Sequence, residues 1–142
     1  MIVTVIVGAA LVAVGFVFYA RTGNGPSTVS LPAQCVKPVG GYLIVTSANG
    51  FNDSVDHGVP ANPWPVIDVA KGSTVTILVC NADNQAHGFQ VAHYFNSSIE
   101  TLAPGRALTV SFSATETGTF AIYCSIPCTI HWAMQSGRLV VS

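Results

Sequence analysis

Thr119-Phe120-Ala121-Ile122-Tyr123-Cys124-Ser125-Ile126-Pro127-Cys128-Thr129-Ile130-His131-Trp132-Ala133-Met134 opens as a strand and closes as a dense group of donor side chains. Side chains alternate along an extended chain, so Phe120, Ile122 and Cys124 share one face and Thr119, Ala121 and Tyr123 the other. The first thiol therefore leaves the strand on the core side. Cys128, His131 and Met134 follow in the same loop, and a second imidazole, His87, stands in Asn84-Gln85-Ala86-His87-Gly88-Phe89 at the end of an earlier apolar run. Thiolate, thioether and imidazole together are the donor set that selects copper over hard-ligand metals. Taken singly, Met134 is ordinary core filler and either histidine an ordinary hydrogen-bonded side chain. The two thiols could also close on each other as a disulfide. It is the clustering of all five that favours a metal.

Working outward, Ala107-Leu108-Thr109-Val110-Ser111-Phe112-Ser113 shows the clearest alternation, with Leu108, Val110 and Phe112 on one side and Thr109 and Ser111 on the other. That is the pattern of a half-buried antiparallel strand. Further strands are expected at Leu43–Thr46, Val66–Val69, Thr74–Cys80, Phe89–Val91 and Leu139–Val141, with a turn-rich loop from Asn49 to Pro65. Turn formers recur between them, and beyond residue 21 no stretch sustains a helical apolar period. The expected architecture is an all-β sandwich. Charge is sparse, with five Lys and Arg against six Asp and Glu and 8% charged residues overall. A chain with no basic run offers nothing to hold nucleic acid.

Residues 2–20 carry no charge and are long enough to cross a bilayer as a helix. A cleaved signal peptide is the competing reading, but no basic region precedes this stretch and it exceeds the usual apolar core of such signals. The expected organisation is a transmembrane helix over 1–21, a Gly, Pro and Ser linker over 22–39, and one β-domain over 40–142. Cys35 and Cys80 lie outside the donor cluster and either pair or stay free. Asn52-Asp53-Ser54 and Asn96-Ser97-Ser98 fit the glycosylation sequon, which, if used, puts the domain outside the cell. His57 and His93 are expected to be solvated or to support ligands rather than to be ligands.

Asn81-Ala82-Asp83-Asn84-Gln85-Ala86-His87-Gly88-Phe89, Leu102-Ala103-Pro104-Gly105, Gly118-Thr119-Phe120, Tyr123-Cys124 and Gly137-Arg138-Leu139-Val140-Val141 resemble the cupredoxin domain of subunit II of haem-copper terminal oxidases. The short length and single span are most similar to the compact ba3-like type. The resemblance implies a cupredoxin-like Greek-key β-sandwich behind one N-terminal transmembrane helix, carrying a dinuclear copper-A centre. It further implies that His87 and His131 each bind one copper, that Cys124 and Cys128 bridge both, and that Met134 and the backbone carbonyl of Ile126 are weak axial ligands. The implied role is electron entry into a cytochrome c oxidase-type complex, with catalysis in a partner subunit. The implied partners are subunit I and other membrane subunits, with cytochrome c or a small cupredoxin as donor. The implied location is the cell membrane, single-pass, with the copper domain on the extracytoplasmic side.

One spacing departs from that family: two residues, Thr129 and Ile130, separate Cys128 from His131, where the family has three. A membrane-anchored carrier with a single copper is the main alternative, and a Cys2His2 zinc site uses the same four side chains. A copper chaperone of the Sco type shares the Cys-x3-Cys spacing but needs a βαβ fold that this strand-rich chain lacks. Quinol oxidase subunit II shares the fold but typically lacks the ligands present here. Ile126, Pro127, Ile130 and Trp132 have no period that would bury them all, so part of this loop is expected to form an apolar patch suited to docking a donor.

Overall fold

The computed structural model describes residues 31, 33–52, 65–96, 98 and 100–142. The expected transmembrane helix and His57 lie outside them. Among the described residues no helix is long and apolar enough to cross a membrane.

Ten strands are described: β1 (Tyr42–Ser47), β2 (Gly50–Asn52), β3 (Val66–Val69), β4 (Thr74–Asn81), β5 (His87–Gly88), β6 (Gln90–Val91), β7 (Thr101–Leu102), β8 (Ala107–Ser113), β9 (Gly118–Tyr123) and β10 (Gly137–Val141), with one 3-10 helix at His131–Met134. One sheet has the order β2-β1-β4-β8 and the other β3-β10-β9-β6, while β5 and β7 form a separate pair. Sequential strands are not always neighbours. β1 runs parallel to β4, and β3 runs parallel to β10, whereas β4–β8 and β9–β10 are antiparallel. The expected all-β architecture is present.

The inner faces of the two sheets supply the core: Ile44, Val75, Ile77, Val79 and Val110 from one, Ile67, Val91, Ile122, Leu139 and Val141 from the other. In β8 the alternation is visible directly, with Val110 buried and Thr109 and Ser111 exposed. Phe51 and Phe89 meet edge to face with centroids 5.7 Å apart, a geometry that suits the ring quadrupoles. Each such fully buried ring contributes roughly 1.5–3 kcal/mol through burial alone. Cys35 and Cys80 form a disulfide, so part of the segment expected as a free linker is tied to β4.

Two features depart from the sequence expectation. β2 lies inside the stretch expected to be loop from Asn49 onward, because the two-residue turn Ala48-Asn49 brings the chain back on β1 and pairs Ser47 with Gly50 and Val45 with Asn52. Gly50 has φ +109°, and a Cβ there would sit 2.7 Å from the Ala133 carbonyl oxygen. Only glycine satisfies both conditions. The hairpin thereby packs against the 3-10 helix, the second departure, since four residues carry no helical period.

Candidate metal centre

Three elements converge on one end of the sandwich. β4 leads into residues 82–86 and then β5, which carries His87; Cys124 directly follows β9; the 3-10 helix returns Met134 beneath the loop between them. Cys124 N–H donates to the Met134 carbonyl at 2.9 Å, closing the loop at its base. Met134 is fully buried and serves the core as well as the site.

His87, Cys124 and Cys128 each offer a donor atom, all within 4.8 Å of one another. His87 is fully buried. Its Nε2 lies 2.8 Å from Asp83 Oδ2, while its Nδ1 is buried with no partner. Asp83 accepting from Nε2–H turns Nδ1 toward the thiols, and with a metal bound Nδ1 would offer it a lone pair, the tautomer a metal-ligating histidine needs. An unpartnered buried nitrogen is costly unless something occupies its lone pair. The donor chemistry and this orphaned atom fit a thiophilic metal such as copper.

The two thiols are not equivalent. Burial pushes Cys124 up, but the His87 ring, the backbone at Ile126 and Gly88, and the His131 ring outweigh it and bring the thiol down to about 6. Gly88 N–H donates to Cys124 Sγ at 3.2 Å. Cys128 is pushed up to about 11 by burial and by the adjacent Cys124 charge. The pair therefore holds a single proton at neutral pH, and Cys128 Sγ lies 4.0 Å from Met134 Sδ. Neither thiol is oxidised; both are free.

The remaining expected ligands stand differently. The Ile126 carbonyl oxygen is turned into the site, 3.2 Å from Cys124 Sγ and 3.0 Å from His131 Nδ1. His131 is not among the converged donors; its Nδ1–H donates to Ile126 O, and its Nε2 lies 3.2 Å from Gln135 Nε2. His93 is exposed, 3.5 Å from Glu116, and stacked on Phe120, away from the cluster. Of the apolar loop residues, Trp132 is 65% exposed, and Pro127 is also exposed, while Ile126 and Ile130 lean on the core. The expected apolar patch is thus reduced to Trp132 and Pro127.

Sequence reasoning passed over Asp83, Gln85, Gly88 and Gln135, all of which touch the site or its supports. Gly88 is needed because a Cβ would meet Ser125 Oγ and lie 2.7 Å from Ser125 N and 2.9 Å from Ile126 N. The signal available for Asp83 was a carboxylate four residues before a candidate ligand histidine.

No family model and no curated protein matches the chain. Solved structures do. A chain of a heme-copper terminal oxidase dimer superimposes with a TM-score of 0.57 at 20% identity, covering 87% of this chain and 85% of that one. The fold is that of a cupredoxin. Auracyanin from the photosynthetic bacterium Roseiflexus castenholzii matches at a TM-score of 0.52 and 18% identity, over 70% of this chain and 94% of its own. A multicopper oxidase matches at 0.56 and 20% identity, over 81% of this chain but 47% of its own. At these identities the likeness establishes the cupredoxin fold, in keeping with the expected Greek-key sandwich.

Proposed function

We propose that this chain is the electron-transfer subunit II of a haem-copper terminal oxidase, holding a dinuclear copper-A centre on Cys124, Cys128, His87, His131, Met134 and the Ile126 carbonyl. The single observation that carries the copper reading is the buried, unpartnered Nδ1 of His87 beside the thiols of Cys124 and Cys128. The resemblance along the chain and the superposition on a heme-copper terminal oxidase chain support the assignment to subunit II. The metal would supply a reversible one-electron couple and no open position for bond chemistry. The chain's own residues do the rest. Asp83 fixes the His87 ring and its tautomer, Gly88 N–H steadies the Cys124 sulfur, and the buried Met134 excludes water from below. In the same reading residues 2–20 anchor the domain to the membrane beside a haem-bearing subunit, with the copper side extracytoplasmic. The donor is cytochrome c or a small cupredoxin, docking at the exposed Trp132.

A membrane-anchored carrier with one copper is favoured by a different observation: the converged donors are one histidine and two cysteines, with His131 Nδ1 directed at Ile126 O instead. Copper titration of the metal-free chain separates the two. Uptake saturating at two coppers per chain, with His131→Ala losing one, fits the dinuclear reading. Saturation at one copper, unchanged by His131→Ala, fits the carrier and overturns copper-A; preference for zinc overturns both.

A further inference from the structure

Residues 125–130, which include Cys128, are not part of either sheet. Among the described residues, the hydrogen bonds of this segment to anything beyond the 124–135 loop all run through one side chain, Gln85. Gln85 Nε2–H donates to Thr129 Oγ1 at 2.7 Å, and Thr129 N–H donates to Gln85 Oε1 at 3.2 Å, a closed two-bond ring between side chain and loop. The second Nε2–H donates to Asp83 Oδ2 at 3.1 Å, the same oxygen that faces His87 Nε2 at 2.8 Å. The amide orientation is fixed by this pattern. Flipped, it would set Nε2 against the Thr129 N–H and Oε1 against a carboxylate, leaving two of the three contacts repulsive.

Gln85 is itself held. Its carbonyl accepts from Asn81 Nδ2 at 2.8 Å, and Asn81 is a fully buried residue of β4 whose Oδ1 accepts from Thr46 and from Asp83 N–H. A rigid strand thus anchors the amide, the amide anchors the Cys128 loop, and the same amide shares the oxygen that orients His87.

We propose that Gln85 is a positioning residue of the metal centre, bridging Thr129 to Asp83 so that Cys128 and His87 are held at ligating separation before metal arrives. This rests on the metal-binding reading of the site. Without the bridge, the short Thr129-Ile130 link to the 3-10 helix leaves Cys128 free to swing with the loop, and Asp83 loses the donor that shares its charge. Groups supporting metal ligands typically change metal affinity by about 10–100-fold.

The test uses the full chain. Copper-loaded Gln85→Ala and Thr129→Val are each expected to release copper to excess EDTA about tenfold faster than wild type, and the double variant no faster than the faster single, because both break one bridge. Thr129→Ser, which keeps the hydroxyl, is expected to release copper at the wild-type rate. In the metal-free chain, Thr129 amide hydrogen exchange is expected to accelerate in Gln85→Ala. Wild-type release rates in both single variants, rate increases that multiply in the double variant, or unchanged Thr129 exchange would each overturn the bridge. A wild-type chain that takes up no copper would instead overturn the metal reading, an outcome distinct from loaded variants that behave like wild type.

Discussion

Replacing Gly88 by Ala tests the close approach on which the centre depends. The backbone at Gly88 has no left-handed requirement, so the substitution carries only a steric cost. The new methyl would stand 2.7 Å from Ser125 N, where ordinary contact begins at 3.4 Å, and would also meet Ser125 Oγ and Ile126 N. Two of these three are backbone atoms at the root of the ligand loop, which cannot step aside as a flexible side-chain tip can. Overpacking of this kind costs about 1–3 kcal/mol. Retreat of the loop also stretches the 3.2 Å bond from Gly88 N–H to Cys124 Sγ, and a hydrogen bond to a charged group is worth about 1.5–3 kcal/mol. Allowing for overlap between the two effects, the metal-free domain should lose about 2–4 kcal/mol, a drop in Tm on the order of 10 °C. Cys124 should also titrate higher in the variant, since one of the groups holding its thiol down is displaced. Thermal unfolding by circular dichroism and thiolate absorbance against pH measure the two effects. Gly40→Ala is the control: φ there is +68° with nothing within 4 Å, so it should cost about 1 kcal/mol from backbone strain alone. A Gly88→Ala protein with an unchanged Tm and an unchanged Cys124 titration would refute the reasoning.

On the proposed ligand set, Cys124→Ser should abolish the thiolate-to-metal colour, while Met134→Leu should keep copper bound and shift the reduction potential, because the proposed role of Met134 is that of a weak axial ligand, which tunes more than it holds; copper loss in the Met134 variant contradicts this. Stability of the metal-free chain should depend on both thiols. Cys124 titrates near 6 when folded against 9.0 ordinarily, so the folded state sheds its proton first, and stability rises from pH 6 to 9 and is lost as pH falls through 6. Cys128 is raised to about 11, so its effect runs the other way and stability falls between pH 9 and 11. Urea midpoints measured without oxygen should therefore peak near pH 9, and a flat profile would contradict the two assignments. Removing the Cys35–Cys80 disulfide by paired alanine substitution opens a 45-residue link and should cost about 2–4 kcal/mol in chemical unfolding. The chain carries only five Lys and Arg and six Asp and Glu, and Trp132 is exposed, so association with the proposed electron donor should fall only weakly with salt; a steep fall in stopped-flow rates rules out apolar docking there.

The strands that alternate cleanly were legible. β3 and β8 occupy the expected residues, β4 runs one residue further and β9 shifts by one, because burial on one face writes a period of two into Val66–Val69 and Ala107–Ser113. β2 was not legible from alternation, being three residues long. The 3-10 helix at His131–Met134 escaped because four residues carry no periodicity, and its place is set by Gly50 packing on Ala133. At the site, the donor types and the convergence of His87, Cys124 and Cys128 followed from side-chain chemistry and from the face on which Cys124 leaves β9. The different setting of His131 could not be read, since it depends on its ring finding the Ile126 carbonyl and Gln135. Nor could the pairing of Cys35 with Cys80, as even cysteine counts leave connectivity open.

In the proposed dinuclear centre two coppers would share one unpaired electron across Cys124 and Cys128. Electron paramagnetic resonance of the copper-loaded, oxidised chain tests it most directly, read alongside copper per chain from the same sample. Two coppers are expected, with a hyperfine pattern from one unpaired electron coupled equally to both nuclei. One copper per chain with the electron coupled to a single nucleus would contradict it.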